Sequence, residues 1–360
     1  MGSRLDLTIM PTEDCNFRCV YCYERFSKGA MSSSNISFLK KFILTNVRKY
    51  TGISVSWFGG EPLEAINEME NITEILLMAC KKRNIPYDAG IVTNGYNLTV
   101  DVLQKLIKMR VTQIQVTIDG TRENHNKYKC HKDGIPTFDV VLENLKYIRD
   151  YCTKNTLSII VRTNVSFEIL ENINEIIDFY HEEFSKDKRF SFFFRPIADW
   201  GGESIKQIAG DIFDSSQFNT MYEKIAAHTT YLNYKLYHSE LTKGIDICYA
   251  AKDNAYVIGS DLTLYKCSCK FNENYNIIGK INEKGQFDIN EDLALKWVMI
   301  GATPRKECEE CVLYPVCHNA ACIADVVDGK ISGSICPHMK HNLDSYLRIL
   351  SRDPQYCMEL

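Results

Sequence analysis

LDLTIMPTEDCNFRCVYC, residues 5–22, runs a strand-like segment straight into three closely spaced thiols. Leu5–Met10 is short and apolar and is followed by the turn chemistry of Pro11-Thr12-Glu13-Asp14. Cys15, Cys19 and Cys22 then form a Cys-x3-Cys-x2-Cys pattern on one tight loop. Three thiolates can hold three irons of a four-iron cube, which normally takes four; the open iron suits a small chelating molecule. Spacing alone leaves a zinc site or a loop of free thiols open. Zinc would need a fourth ligand, and the nearest histidine in sequence is His125.

Outward from this loop, the first 200 residues alternate strand and helix patterns. Further strands are expected at Ser54–Phe58, Gly90–Thr93, Gln113–Ile118, Leu157–Val165 and Phe190–Arg195. Amphipathic stretches lie near 33–50, 63–83, 99–109, 137–152 and 169–184, with helix starts at Ser32–Asn35 and Thr99. Such alternation predicts a parallel sheet with right-handed crossovers. Six units make an open, partial (β/α)6 TIM-like barrel, with function at the C-terminal ends of its strands. The distinctive residues fall there: the cysteine loop after strand one, Gly59-Gly60-Glu61 after strand two, Asn94 after three and Asp119 after four.

Cysteine also marks the rest of the chain. Of fifteen, eight lie between Cys248 and Cys336: Cys248, Cys267, Cys269, Cys308, Cys311, Cys317, Cys322 and Cys336. With no export signal, such clusters point to metal or iron–sulfur ligation rather than to disulfides. Eight thiolates are too many for one ion and enough for two four-iron clusters; two structural zinc sites, helped by His318, His338 or His341, are the alternative. Cys80, Cys130, Cys152 and Cys357 read as free thiols. The expected organisation is a barrel over 1–200, a helical connector over 201–245, a small cysteine-rich domain held by its clusters over 246–340, and a closing helix and tail over 341–360.

The 360 residues carry a net charge of −4, which argues against a nucleic-acid partner. No apolar run approaches the roughly 18–20 residues of a membrane span, and the N-terminus has no secretory core. A cytoplasmic location is expected.

The cysteine loop directly after strand one, with Tyr21 before its last Cys, resembles the signature of the radical S-adenosylmethionine (SAM) enzymes. The resemblance implies that the open iron binds the amino and carboxylate groups of SAM. An electron then cleaves SAM to a 5′-deoxyadenosyl radical that takes a hydrogen atom from substrate. Gly59-Gly60-Glu61-Pro62 resembles the family's second motif, so Glu61 is expected to pair with the SAM ammonium, with the two glycines allowing close backbone approach. Asn94, Thr117 and Asp119 are candidates for the ribose and carboxylate of SAM. Arg162 is a candidate for its carboxylate, and Tyr21 is expected near adenine.

The second array is similar to the SPASM auxiliary-cluster extension of a peptide- and protein-modifying subfamily. Its spacing Cys308-x2-Cys311-x5-Cys317-x4-Cys322 has one residue more than usual before Cys322. The likeness implies an inner cluster on Cys248, Cys267 and Cys322, with Cys269 either a fourth ligand or absent from an open cluster. It implies an outer cluster on Cys308, Cys311, Cys317 and Cys336, and so three [4Fe–4S] clusters in all. Sulfatase-maturing members typically carry an Asp base after the position of Cys267, and this chain has Ser268. Crosslinking of a ribosomally made peptide, such as thioether formation, is the leading expectation. A formylglycine-forming sulfatase maturase is the alternative, and an iron–sulfur electron carrier or scaffold the non-enzymatic one. The implied partners are a peptide substrate, an electron donor such as flavodoxin or ferredoxin, and a separate leader-binding protein. The last follows because strand one begins at about residue 5, with no small domain before it. Docking of the leader elsewhere on the chain, or a shortened N-terminus, are the other possibilities. No catalytic base is assigned.

Overall fold

The computed structural model describes residues 3–214, 217–228, 234–235, 248–302, 306–314, 322–329, 340 and 343–352. Strands β1 (Leu5–Ile9), β2 (Ile53–Trp57), β3 (Tyr87–Thr93), β4 (Val111–Thr117), β5 (Ser158–Val165) and β6 (Phe190–Pro196) pair in that order, all parallel. Helices α1 (Ser33–Asn46), α2 (Ile66–Arg83), α3 (Val100–Lys108), α4 (Arg122–Tyr128), α5 (Phe138–Tyr151), α6 (Phe167–Glu171) and α7 (Ile173–Phe184) make the crossovers. This is the expected α/β partial barrel. Ser32 caps α1 by accepting from Asn35 N at 3.2 Å, and Thr99 caps α3 by accepting from Val102 N at 3.5 Å.

The region 201–245 is not helical throughout. A 3-10 segment at Ser204–Asp211 and helix α8 (Phe218–His228) precede β7 (Tyr234–Lys235), which extends the sheet beside β6. The cysteine-rich part also departs from expectation. Its strands β8 (Ala255–Ile258), β9 (Thr263–Tyr265), β10 (Ile277–Ile281) and β11 (Phe287–Ile289) do not form a separate core. β8 pairs in parallel with β1, so one sheet runs β11-β10-β9-β8-β1-β2-β3-β4-β5-β6-β7. Ile278, Ile281 and the fully buried Trp297 of helix α9 (Glu291–Ala302) belong to the same apolar cluster as the barrel core. This part therefore rests on buried apolar surface shared with the barrel.

The start of β6 is tied to the C-terminal end of α5 through one arginine. Arg189 Nη2 donates to Ile148 O at 2.9 Å, Nη1 to Cys152 O, and Nε to Asp187 Oδ1 at 3.0 Å. Burial pushes the Asp187 carboxyl up, but the hydrogen bonds and charge of Arg189 outweigh it and hold the group below its ordinary 3.8. A carboxyl lowered by folding stabilises fully above its unfolded value, and the contribution fades as pH falls through the folded value. Asp187→Asn is therefore expected to lower stability by about 1–3 kcal/mol at neutral pH. The gap in melting temperature between wild type and variant should narrow progressively as pH falls below about 4; a gap that stays constant down to the lowest pH at which the protein folds refutes the assignment.

Candidate functional site

The cysteine loop leaves β1 and is held from two sides. Arg18 N donates to Cys130 O at 2.8 Å, Val20 N to Tyr128 O at 3.0 Å, and Lys132 N to Asn16 O at 2.8 Å. The segment after α4 thus runs antiparallel to it, with a bridge at Phe17 and His131. On the other side Gly60, at φ 47°, lies so close that a Cβ there would sit 2.1 Å from Asp14 O. Only glycine fits that approach. Cys15, Cys19 and Cys22 all line one cavity at the C-terminal mouth of the sheet, and burial raises all three thiols, Cys22 to about 12.

Six of the eight residues expected to hold SAM line the same cavity: Tyr21, Gly59, Gly60, Asn94, Thr117 and Arg162. Arg162 donates from Nε to Asn164 Oδ1 at 2.8 Å, and no carboxylate stands within ion-pair distance of it among the described residues.

Glu61 and Asp119 are placed differently. The Glu61 carboxylate is fully buried and accepts from Thr93 Oγ1 at 2.6 Å, Asn94 N at 2.7 Å and Leu63 N at 3.0 Å. It clamps the end of β2 to the end of β3 and does not line the cavity. Of the Gly59-Gly60-Glu61 motif, Gly59 and Gly60 line the cavity, and the Glu61 carboxylate joins the two strand ends behind them. Burial pushes Glu61 up to about 6, against the pull of its three donors. Asp119 is likewise fully buried, accepting from Tyr21 OH and from Asn164 N at 2.8 Å, and so orients Tyr21.

Several cavity residues escaped the sequence reading. Glu24 accepts from Gly60 N at 2.6 Å, and burial pushes it up to about 7. Tyr23 reaches the second cysteine array, where Cys269 Sγ lies 4.0 Å from its hydroxyl. Lys129, from the segment after α4, is buried against Cys19. Asn164 alone had a readable cue, two residues from Arg162 and so on the same strand face.

In the second array, Cys269 N donates to Cys267 Sγ at 3.4 Å. Charge on Cys269 acts on Cys248, and charge on Cys322 acts on Cys267. Ser268 is tied to Tyr249, its Oγ 2.8 Å and its N 2.7 Å from the tyrosine hydroxyl. Of the outer set, Cys308 and Cys311 share one turn, with Cys311 N donating to Cys308 O at 3.2 Å, while Cys317 and Cys336 lie outside the described residues.

Among the described residues, no group of three or more His, Cys, Asp or Glu side chains is placed to hold a metal ion. The ligands of a four-iron cube sit on different irons and need to be spread around a cavity rather than closed on a point. Three thiols that line one cavity together with Arg162, Gly59 and Gly60 fit that donor chemistry.

The radical SAM superfamily profile matches residues 9–179. The cysteine-type anaerobic sulfatase-maturating enzyme of Clostridium novyi is 22% identical over 341 residues, covering 88% of this chain and 87% of that protein. The serine-type enzyme of Bacteroides thetaiotaomicron is 25% identical over 48% of this chain and 43% of its own. Two solved structures share the fold. One is anSMEcpe with bound AdoMet and the Cp18Cys peptide (TM-score 0.74, 17% identity, 99% of this chain and 97% of that one). The other is Streptococcus suis SuiB bound to precursor peptide SuiA (TM-score 0.63, 17% identity, 94% and 75%). Among the described residues no helix is long and apolar enough to cross a membrane. The barrel that carries Cys15, Cys19 and Cys22 is a radical SAM domain, and the protein is a radical SAM enzyme.

Proposed function

We propose that this enzyme modifies a peptide at carbon, closing a thioether or similar crosslink. The observation that carries the reading is the cavity itself, lined by three thiols of one loop together with Arg162. In this reading Cys15, Cys19 and Cys22 hold three irons, and Arg162 receives the SAM carboxylate. The backbone of Gly59 and Gly60 receives its ammonium, and Asn94, Thr117 and Tyr21 position ribose and adenine. Cluster and SAM, once bound, supply a radical able to remove a hydrogen atom from carbon. Phe17, Phe26, Phe58, Val92, Ile197 and Trp200 make the walls apolar and keep water from a reactive centre that acts only at near contact. Cys248, Cys267 and Cys322 would hold an auxiliary cluster beside the mouth, positioned to take the second electron as a bond closes, and a flavodoxin- or ferredoxin-type donor would supply the first.

Ser268 favours crosslinking over formylglycine formation. Its hydroxyl is engaged by Tyr249 and it offers no carboxylate base, whereas the likeness to sulfatase maturases calls for an Asp there. The long match to a sulfatase-maturating enzyme favours the second reading. The deciding experiment incubates a Cys-bearing peptide, encoded beside the gene, with enzyme, SAM and reductant. Mass spectrometry should show loss of two hydrogens with no added oxygen, abolished by Cys267→Ala. Conversion of Cys to an aldehyde would establish the sulfatase-type reaction instead.

A further inference from the structure

Lys129 is 5% exposed, although lysine ammonium groups are almost never buried without an anionic partner. Its place is set by the backbone on either side. Tyr128 O and Cys130 O accept from Val20 N and Arg18 N, so the residue between them is fixed against the cysteine loop. Its Nζ lies 3.7 Å from Cys19 Sγ and 5.6 and 5.9 Å from the centres of the Phe17 and Tyr21 rings. Among the described residues no carboxylate stands within ion-pair distance; Asp119 acts on it from farther away than Cys19. A neutral thiol would leave this cation in a dry site with little to offset its desolvation, whereas a cysteine loop carrying net negative charge would offset it.

We propose that Lys129 is a positioning residue that raises the reduction potential of the cluster held by Cys15, Cys19 and Cys22. The inference rests on those three cysteines being the cluster's ligands. In the step concerned the cluster takes one electron from a low-potential donor. No bond forms or breaks and no proton moves, so the charge of the cluster and its ligands taken together becomes more negative by one. A fixed ammonium at 3.7 Å from one ligand sulfur stabilises the reduced form more than the oxidised one.

The test compares reconstituted full-length wild type, Lys129→Met and Lys129→Arg by iron analysis and by electron paramagnetic resonance during a dithionite titration. The signal is assigned to this cluster by its absence from the variant with Ala at 15, 19 and 22. Lys129→Met should keep its iron. At a fixed potential its ratio of reduced to oxidised cluster should fall about tenfold, equivalent to a downward shift of about 59 mV for one electron. Lys129→Arg, which restores the charge, should return the ratio to near wild type. Full iron with an unchanged ratio in Lys129→Met overturns the proposal. So does iron lost in Lys129→Met but kept in Lys129→Arg, which assigns the lysine to holding the loop. A wild-type protein with no such signal overturns the ligand assignment, and the inference with it.

Discussion

With Cys15→Ala, Cys19→Ala and Cys22→Ala combined, SAM cleavage is expected to fall to buffer background, and bound iron to drop by about four atoms per chain. The rest of the iron should stay, because Cys248, Cys267 and Cys322 belong to other elements. The fold should stay as well. The loop is anchored by Arg18 N, Val20 N and the carbonyl of Asn16, none of which depends on a thiol. Iron quantification, circular dichroism and chromatography of methionine and 5′-deoxyadenosine check all three points together. Cleavage surviving in the triple variant would remove this loop from the chemistry.

Glu61→Ala is expected to unfold the protein at a markedly lower temperature rather than simply to weaken SAM binding. The substitution strands Thr93 Oγ1, Asn94 N and Leu63 N in a buried site. Buried donors left unpaired cost about 1–3 kcal/mol each, and partial relaxation brings the total to about 3–5 kcal/mol. A drop in melting temperature on the order of 10 °C follows. Glu61→Gln keeps one acceptor oxygen and should recover part of the loss. A Glu61→Ala protein that melts like wild type but binds SAM tenfold less tightly would put the carboxylate back on the ammonium.

The barrel was legible because each of β1 to β6 carries its own local pattern and its own turn. The three thiols were legible because their spacing directly after strand one resembles a family signature; spacing alone left zinc and free thiols open. What escaped depended on partners distant in sequence. Glu61 looks like a ligand in a motif, and only the closeness of the β3 end shows that its carboxylate also holds Thr93 and Asn94. Lys129 sits in a polar stretch, RENHNKYK, whose helix α4 is too short and too polar to register as an amphipathic period. The pairing of β8 with β1 joins residues some 250 positions apart, and parallel pairing at that range leaves no local trace. The cysteine-rich part therefore looked coreless when its core was the barrel's own.

That pairing has a consequence for how the protein is made. β1 is hydrogen-bonded to β2 on one side and to β8 on the other, Asp6 facing Ala255 and Ile9 facing Ile258. During synthesis the β2 side can be closed early, but β8 follows only after some 250 further residues. At about 5–20 residues per second, that edge stays open for roughly 10–50 s. An unpaired apolar strand edge is a template for pairing with another chain. Nascent molecules are thus exposed to aggregation for most of translation, and a gene cut after the barrel would leave the exposure permanent. The cysteine-rich half shields the oldest strand of the sheet as well as carrying its own thiols.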